Sequence, residues 1–234
     1  MTGPHPATQK AELRALLAVD SVVTAAQLQR WGLAQAAQWL ELPRVTLTCR
    51  TRVTQSESTT DLTFVARSAD QLARAPRELM HLSGLAETRR GRVLEPGQVW
   101  QHVNLKGRAK IHQPDAEIVQ LLDVARRSDW SVELDTGYSP QRIAQKLEAA
   151  TTAGYSRILW ATTVHRRTQT VLDQASWLQR KGKLPDLTQI ETQFVDFWSA
   201  NDPYVNRPRC HKPMRLSRTF TVQPEVAPAR LTWR

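Results

Sequence analysis

The chain has 234 residues, enough for one large domain or two small ones around a real core. Hydrophobic residues at 41% and charged residues at 23% exclude a disordered chain, and no apolar run approaches the roughly 18–20 residues that span a bilayer. The 32 Lys and Arg against 22 Asp and Glu leave a net charge of +10, so a polyanion, nucleic acid above all, is the expected partner.

The start, "MTGPHPATQKAEL", has no apolar stretch behind a basic one, so no secretory signal is expected. Cys49 and Cys210 are far apart and lack metal-ligand spacing, and the adjacent Cys210 and His211 have no further partners for a zinc site. A reduced, cytoplasmic protein is the expectation. Of the eight Trp, most are expected in the core, with one or two as candidates to stack on bases.

Residues 8–19 place Leu13, Leu16 and Leu17 at helical spacing, with Thr8 as candidate N-cap. Thr24 starts a second short helix that ends at Gly32, and a third runs through "LAQAAQWLEL" to Pro43. Three short helices with a Gly turn between the last two are the grammar of a helix-turn-helix. Two alternating, β-branched runs follow, Arg44–Val53 and Asp61–Arg67, and read as a hairpin. Three helices and a hairpin describe a winged helix. Arg50, Arg52 and Arg67 on the hairpin are candidate phosphate contacts. The third helix has no Lys or Arg between Ala34 and Leu40. Gln35 and Gln38 are its candidates to read base edges; otherwise the helix serves packing or dimerisation.

Residues 68–92 read as one or two helices broken near Pro76, with Leu79, Leu82 and Leu85 as an apolar stripe and His81 and Glu87 on the same segment. The next stretch, to "HQPDAEIVQLL", reads as loops and strands. "DWSVELDTG" is a strand ending at Gly137, in which Glu133 and Asp135 share one face and Val132 and Leu134 the other. A helix follows, with Ser139 as N-cap, Pro140 in first position and Gly154 at its end. Then come a buried strand, "YSRILWATT", and a helix from "HRRTQTVL". His165, Arg166 and Arg167 at that helix start oppose the helix dipole, which marks them as candidate phosphate contacts. A closing strand is expected in "RTFTV" near the end.

Two readings compete for the carboxylates. Glu-x-Asp on a strand ordinarily means a solvated face, and Pro-Asp ordinarily means a turn. Yet Asp115 after Pro114 stands where one strand should begin, with Glu133 on the next. Hydrolysis of a phosphodiester by Mg²⁺ asks for one or two such carboxylates.

"QPDA", "VELDTGY", the helical "IAQKLEAA" and "Y-x-x-ILWAT" together resemble the PD-(D/E)XK nuclease superfamily. More narrowly, they resemble the replication-relaxation proteins of bacterial plasmids and mobile elements, over roughly residues 8–180. The resemblance implies an α/β (α+β) chain: a winged helix over 8–67 and a restriction-endonuclease-like mixed-sheet core flanked by helices over 68–200; the Pro- and Arg-rich composition of 201–234 reads as a basic arm. It implies Asp115 and Glu133 as ligands of Mg²⁺ (or Mn²⁺), and Glu87 in "MHLSGLAETRRGR" as the helical acid. The superfamily's Lys two positions after the second acid is here Asp135, and an Asp cannot replace a cation. Lys146 on the following helix is the implied substitute, with Asp135 as an extra ligand or a partner of Lys146 or Arg142. The implied activity is cleavage or nicking of DNA. The alternatives are an inactive nuclease-fold DNA-binding protein, or a subunit of a larger nucleoprotein complex, its basic arm meeting a protein partner.

Overall fold

The structure, a computed structural model, describes residues 5–50, 59–104, 113–121, 128–164, 166–200 and 215–221. Helix α1 (Pro6–Asp20) starts ahead of Thr8. His5 is its cap, accepting a hydrogen bond from the Ala7 N–H, and Pro6 takes the first position, where its fixed φ costs nothing. Leu13, Leu16 and Leu17 are buried, as their spacing predicts.

Strand β1 (Val22–Thr24) comes next, then α2 (Ala25–Arg30) and α3 (Ala34–Trp39). Thr24 caps α2 through a reciprocal box with Gln27. Strands β2 (Arg44–Arg50) and β3 (Thr59–Ala66) form the expected hairpin, and β1 adds to the far edge of β3, giving the sheet order β1-β3-β2. Three residues are too few to show a period, which is why β1 leaves no trace in the sequence pattern.

After α4 (Ala69–Leu72) and α5 (Pro76–Arg90), the chain builds a second sheet: β4 (Gln98–His102), β5 (Ala116–Gln120), β6 (Ser128–Asp135), α6 (Pro140–Thr152), β7 (Arg157–Thr162), α7 (Arg167–Arg180), β8 (Gln189–Phe194) and β9 (Arg215–Thr219). These six strands lie in sequence order. The first three pair antiparallel, β6, β7 and β8 pair parallel, and β9 returns antiparallel. Helices α6 and α7 make the two parallel crossovers. The fold is therefore mixed α+β with a six-stranded mixed sheet. Ser139 caps α6 and Pro140 opens it, as predicted. Strand β9 lies ahead of "RTFTV" and overlaps it only at Arg218 and Thr219, because pairing with Gln189–Gln193 of β8 sets its bounds.

Each face of the central strands has its own apolar layer. Ile143, Leu147, Trp160, Val171 and Ile190 fill the α6–α7 side. Leu85, Ala116, Ile118, Val132 and Leu134 fill the α5 side. Helix α5 lies close on β6 because residue 84 is Gly: a β-carbon there would stand 2.7 Å from Leu134 Cδ2. A third cluster joins the sheets across residues 67 and 68, with Val22 and Phe64 against Leu79, Leu82 and Phe197. Among the described residues, no helix is long and apolar enough to cross a membrane.

Candidate functional site

The β5–β6 register brings the first two acids together. Ala116 pairs with Val132, so Asp115, one residue earlier, falls beside Glu133. Asp115 is nearly inaccessible and well held. Its Oδ2 accepts from the Leu134 N–H at 2.8 Å, its Oδ1 from Asn104 Nδ2 at 3.0 Å, and its carbonyl from the N–H groups of Val103 and Asn104. His81 of α5 reaches the same carboxylate, with Nε2 at 3.7 Å from Oδ1, and contacts the Asn104 carbonyl at 3.1 Å. Burial lowers the His81 pKa, and Asp115 pulls it back up.

The face carrying Glu133 and Asp135 is not solvated. Both are buried, at 2% and 0% exposure, because α6 and α7 cover that side of β6. Lys146 of α6 is buried with them. Its Nζ stands 2.8 Å from Glu133 Oε2 and donates to the Gln113 carbonyl at 3.1 Å. The Lys146–Glu133 contact is an ion pair without hydrogen-bond alignment, since Glu133 Oε2 has no aligned donor. Burial pushes the Glu133 carboxyl up to about 8, helped by Asp115 and opposed by Lys146.

Asp135 divides its labour. Oδ1 accepts from the N–H groups of Gly137 and Tyr138, at 2.7 and 2.6 Å, closing an Asx-type turn that Gly137 permits with φ of 125°. Oδ2 has no aligned donor, although Arg167 Nε lies 3.6 Å away. Burial raises its pKa, against those two N–H groups and Arg167. Tyr138 closes the cluster. Its hydroxyl pKa is raised by burial and then by Asp115, Glu133 and Asp135, and its ring sits edge-on to Trp160.

Asp115, Glu133, Asp135, Lys146 and Arg167 thus converge. Glu87 does not join them. Its carboxylate turns to α2, where Arg30 pairs with it and Gln27 Nε2 donates to it at 3.0 Å. The α5 residue at the site is His81, six positions earlier, which on a helix faces a different direction. Gln35, Gln38, Arg50, Arg67 and Arg166 are exposed. Arg166 takes a left-handed φ of 65° at the start of α7. Arg52, His165, Cys210 and His211 lie outside the described residues. Sequence reasoning missed His81, Asn104 and Tyr138 as members of the site. His81 carried a faint signal, a lone His within an apolar helical stripe; Asn104 carried none.

Two buried carboxylate oxygens without aligned donors are the donor type that Mg²⁺ prefers. Among the described residues, no three His, Cys, Asp or Glu side chains gather closely enough to hold a metal alone. No family model, no curated protein and no solved structure matches this chain.

Proposed function

We propose that the chain binds DNA and cleaves or nicks it with Mg²⁺ (or Mn²⁺), in the processing of a plasmid or mobile element. The observation that carries this reading is the meeting of Asp115, Glu133 and Lys146 in one buried cluster, although 18 residues separate the two acids and Lys146 lies on a different element.

Two features of the topology support it. The run α5–β4–β5–β6–α6–β7, a helix, three antiparallel strands, a crossover helix and a parallel strand, is the order expected of a restriction-endonuclease-like core. The run α1–β1–α2–α3–β2–β3 with sheet order β1-β3-β2 is the order expected of a winged helix. The net charge of +10 suits a phosphate backbone.

In this reading Asp115 and Glu133 would hold the cation through oxygens that already accept from the Leu134 N–H and Asn104 or face Lys146, and Asp135 Oδ2, 3.6 Å from Arg167 Nε, would be a further acceptor. When bound, the cation activates water and balances charge on the phosphate. Asn104, His81 and the Leu134 N–H fix Asp115 in place. Lys146 supplies the positive charge that the motif's missing Lys would have supplied, orienting the water or countering the developing negative charge. Arg167 stands at the rim, and exposed Arg50 and Arg67 on the hairpin meet the backbone.

A second reading has a specific observation behind it. Asp135 stands where the motif expects Lys, and Lys146 is committed to an ion pair with Glu133. The chain would then be a catalytically inactive nuclease fold that binds DNA, alone, as a homodimer or inside a nucleoprotein complex. Metal-dependent cleavage of supercoiled plasmid, with binding followed on the same samples at fixed salt, separates the two. Cleavage that is lost in Glu133→Ala while binding persists supports the nuclease. Binding without cleavage by wild type, in both Mg²⁺ and Mn²⁺, overturns it in favour of the scaffold.

A further inference from the structure

We infer that the groove between β2 and α5 is the seat of one unpaired nucleotide, so that the DNA taken by this site is single-stranded or locally unpaired. The inference rests on the proposed DNA-processing function and names its substrate class.

The groove encloses about 330 Å³, at the small end of the roughly 300–1,000 Å³ that ligand pockets span. Its walls are partly apolar, with Cys49 from the hairpin, Pro76 and Met80 from α5 and Leu134 from β6, and they include the Thr48 and Thr136 side chains. Two exposed cations, Arg50 and Arg77, stand on it from opposite sides, and no acidic side chain among the described residues lines it. A partly apolar slot flanked by two guanidinium groups matches a base attached to its phosphates. It does not match an acidic side chain or a neutral apolar ligand equally well, because the first wastes the apolar walls and the second makes no use of the exposed Arg77.

Two lining residues connect the groove to the carboxylate cluster. His81 and Tyr138 line the groove, and both belong to the carboxylate cluster: His81 lies 3.7 Å from Asp115, and the Tyr138 N–H donates to Asp135. A strand with a phosphate at the carboxylates would lead its neighbouring nucleotide into this slot. The Tyr138 ring is already immobilised edge-on against Trp160 at 6.2 Å between centroids, so little order must be gained on binding. An intact duplex keeps its bases stacked inside and cannot fill the slot without extruding one.

Binding of three labelled DNAs of one sequence tests this, by fluorescence anisotropy in EDTA at fixed salt: a duplex, a single strand, and a duplex carrying one unpaired nucleotide. Wild type is expected to favour the two unpaired forms by about tenfold, the worth of one stacked base. Met80→Trp, which fills the slot, is expected to bring the ratio of affinities to about one. Arg77→Ala, at an exposed position outside the core, is expected to shrink the same ratio and keeps the test open should Met80→Trp misfold. Equal affinity of wild type for all three DNAs, or a preference that survives both substitutions, overturns the inference and leaves the proposed function standing. Failure to bind any of the three overturns both. Absence of cleavage in the separate plasmid assay with Mg²⁺ or Mn²⁺, with the preference intact, counts only against catalysis.

Discussion

Two buried acid–base pairs sit on opposite sides of α5, and they are built differently. At the seam between the sheets, Arg30 pairs with Glu87, with 6% and 3% of their side chains exposed. Within the larger sheet, Lys146 pairs with Glu133, with 1% and 2% exposed. The seam pair is finished. Arg30 also donates to the carbonyls of Asp196 and Ser199, and Gln27 bridges Glu87 to the Ser83 carbonyl. The sheet pair is held more loosely: Glu133 Oε2 has the Lys146 ammonium at 2.8 Å and Asp135 Oδ2 has Arg167 Nε at 3.6 Å, neither as an aligned hydrogen bond. Burying polar groups without partners costs stability. The sheet cluster carries part of that cost, whereas the seam pair is a fastening. Burial raises both carboxyl pKa values, opposed by Arg30 at Glu87 and by Lys146 at Glu133.

The sharpest way to break this comparison is catalytic. Asp115→Ala and Glu133→Ala should each lower metal-dependent plasmid cleavage by on the order of 10³-fold, while Glu87→Gln should leave the cleavage rate of the folded protein within about threefold. A comparable loss in Glu87→Gln would erase the distinction between the pairs.

Stability should separate them next. Arg30→Met strands a buried carboxylate and should cost about 3 kcal/mol in urea unfolding, with Glu87→Leu in the same chain recovering most of it. Lys146→Met should cost less at pH 6 than at pH 9, because burial raises the Glu133 pKa and a proton on Glu133 weakens its pairing with Lys146. Identical costs for Arg30→Met and Lys146→Met at both pH values would contradict the difference in pairing.

The pH profile carries its own sign. The folded-state pKa of Glu133 lies above the ordinary value of 4.5, at about 8. Its contribution to stability is therefore full below about pH 4.5 and is lost as pH rises through about 8. Glu133→Gln should flatten that decline, so that its melting temperature falls less between pH 6 and pH 9 than that of wild type, whatever the offset from leaving Lys146 without its carboxylate. A melting temperature that falls equally in both proteins over this window would count against the buried carboxyl as its origin.

The smallest effect belongs to the seam. Thr24→Ala removes the α2 cap and the hydroxyl's bond to the Phe197 carbonyl. It should cost about 1 kcal/mol with no change in cleavage of the folded protein, read by parallel melts and plasmid assays.

Much of the local architecture was legible because its signals are local. Thr24 before Gln27, Ser139-Pro140 and the alternation of Val132 and Leu134 each act within a turn of helix or a few residues of strand, and each formed the element expected. The candidate site was legible in part. Asp115, Glu133 and Lys146 could be named from spacing and resemblance, but the same logic assigned Glu87 to them. A helix turns about 100° per residue, so which of His81 and Glu87 faces the sheet depends on how α5 is docked, and Gly84 against Leu134 decides that.

By itself, then, the sequence determined where most chain segments begin and end, which strand face is apolar, and the excess of positive charge. Only the tertiary structure decided that the acidic face of β6 is buried. Period-2 alternation reports that two faces differ; it is silent on whether a second layer covers the polar one. Here the parallel crossovers lay α6 and α7 over that face. The same covering brings Lys146 onto Glu133 and turns an ordinary Glu-x-Asp into a buried charge cluster.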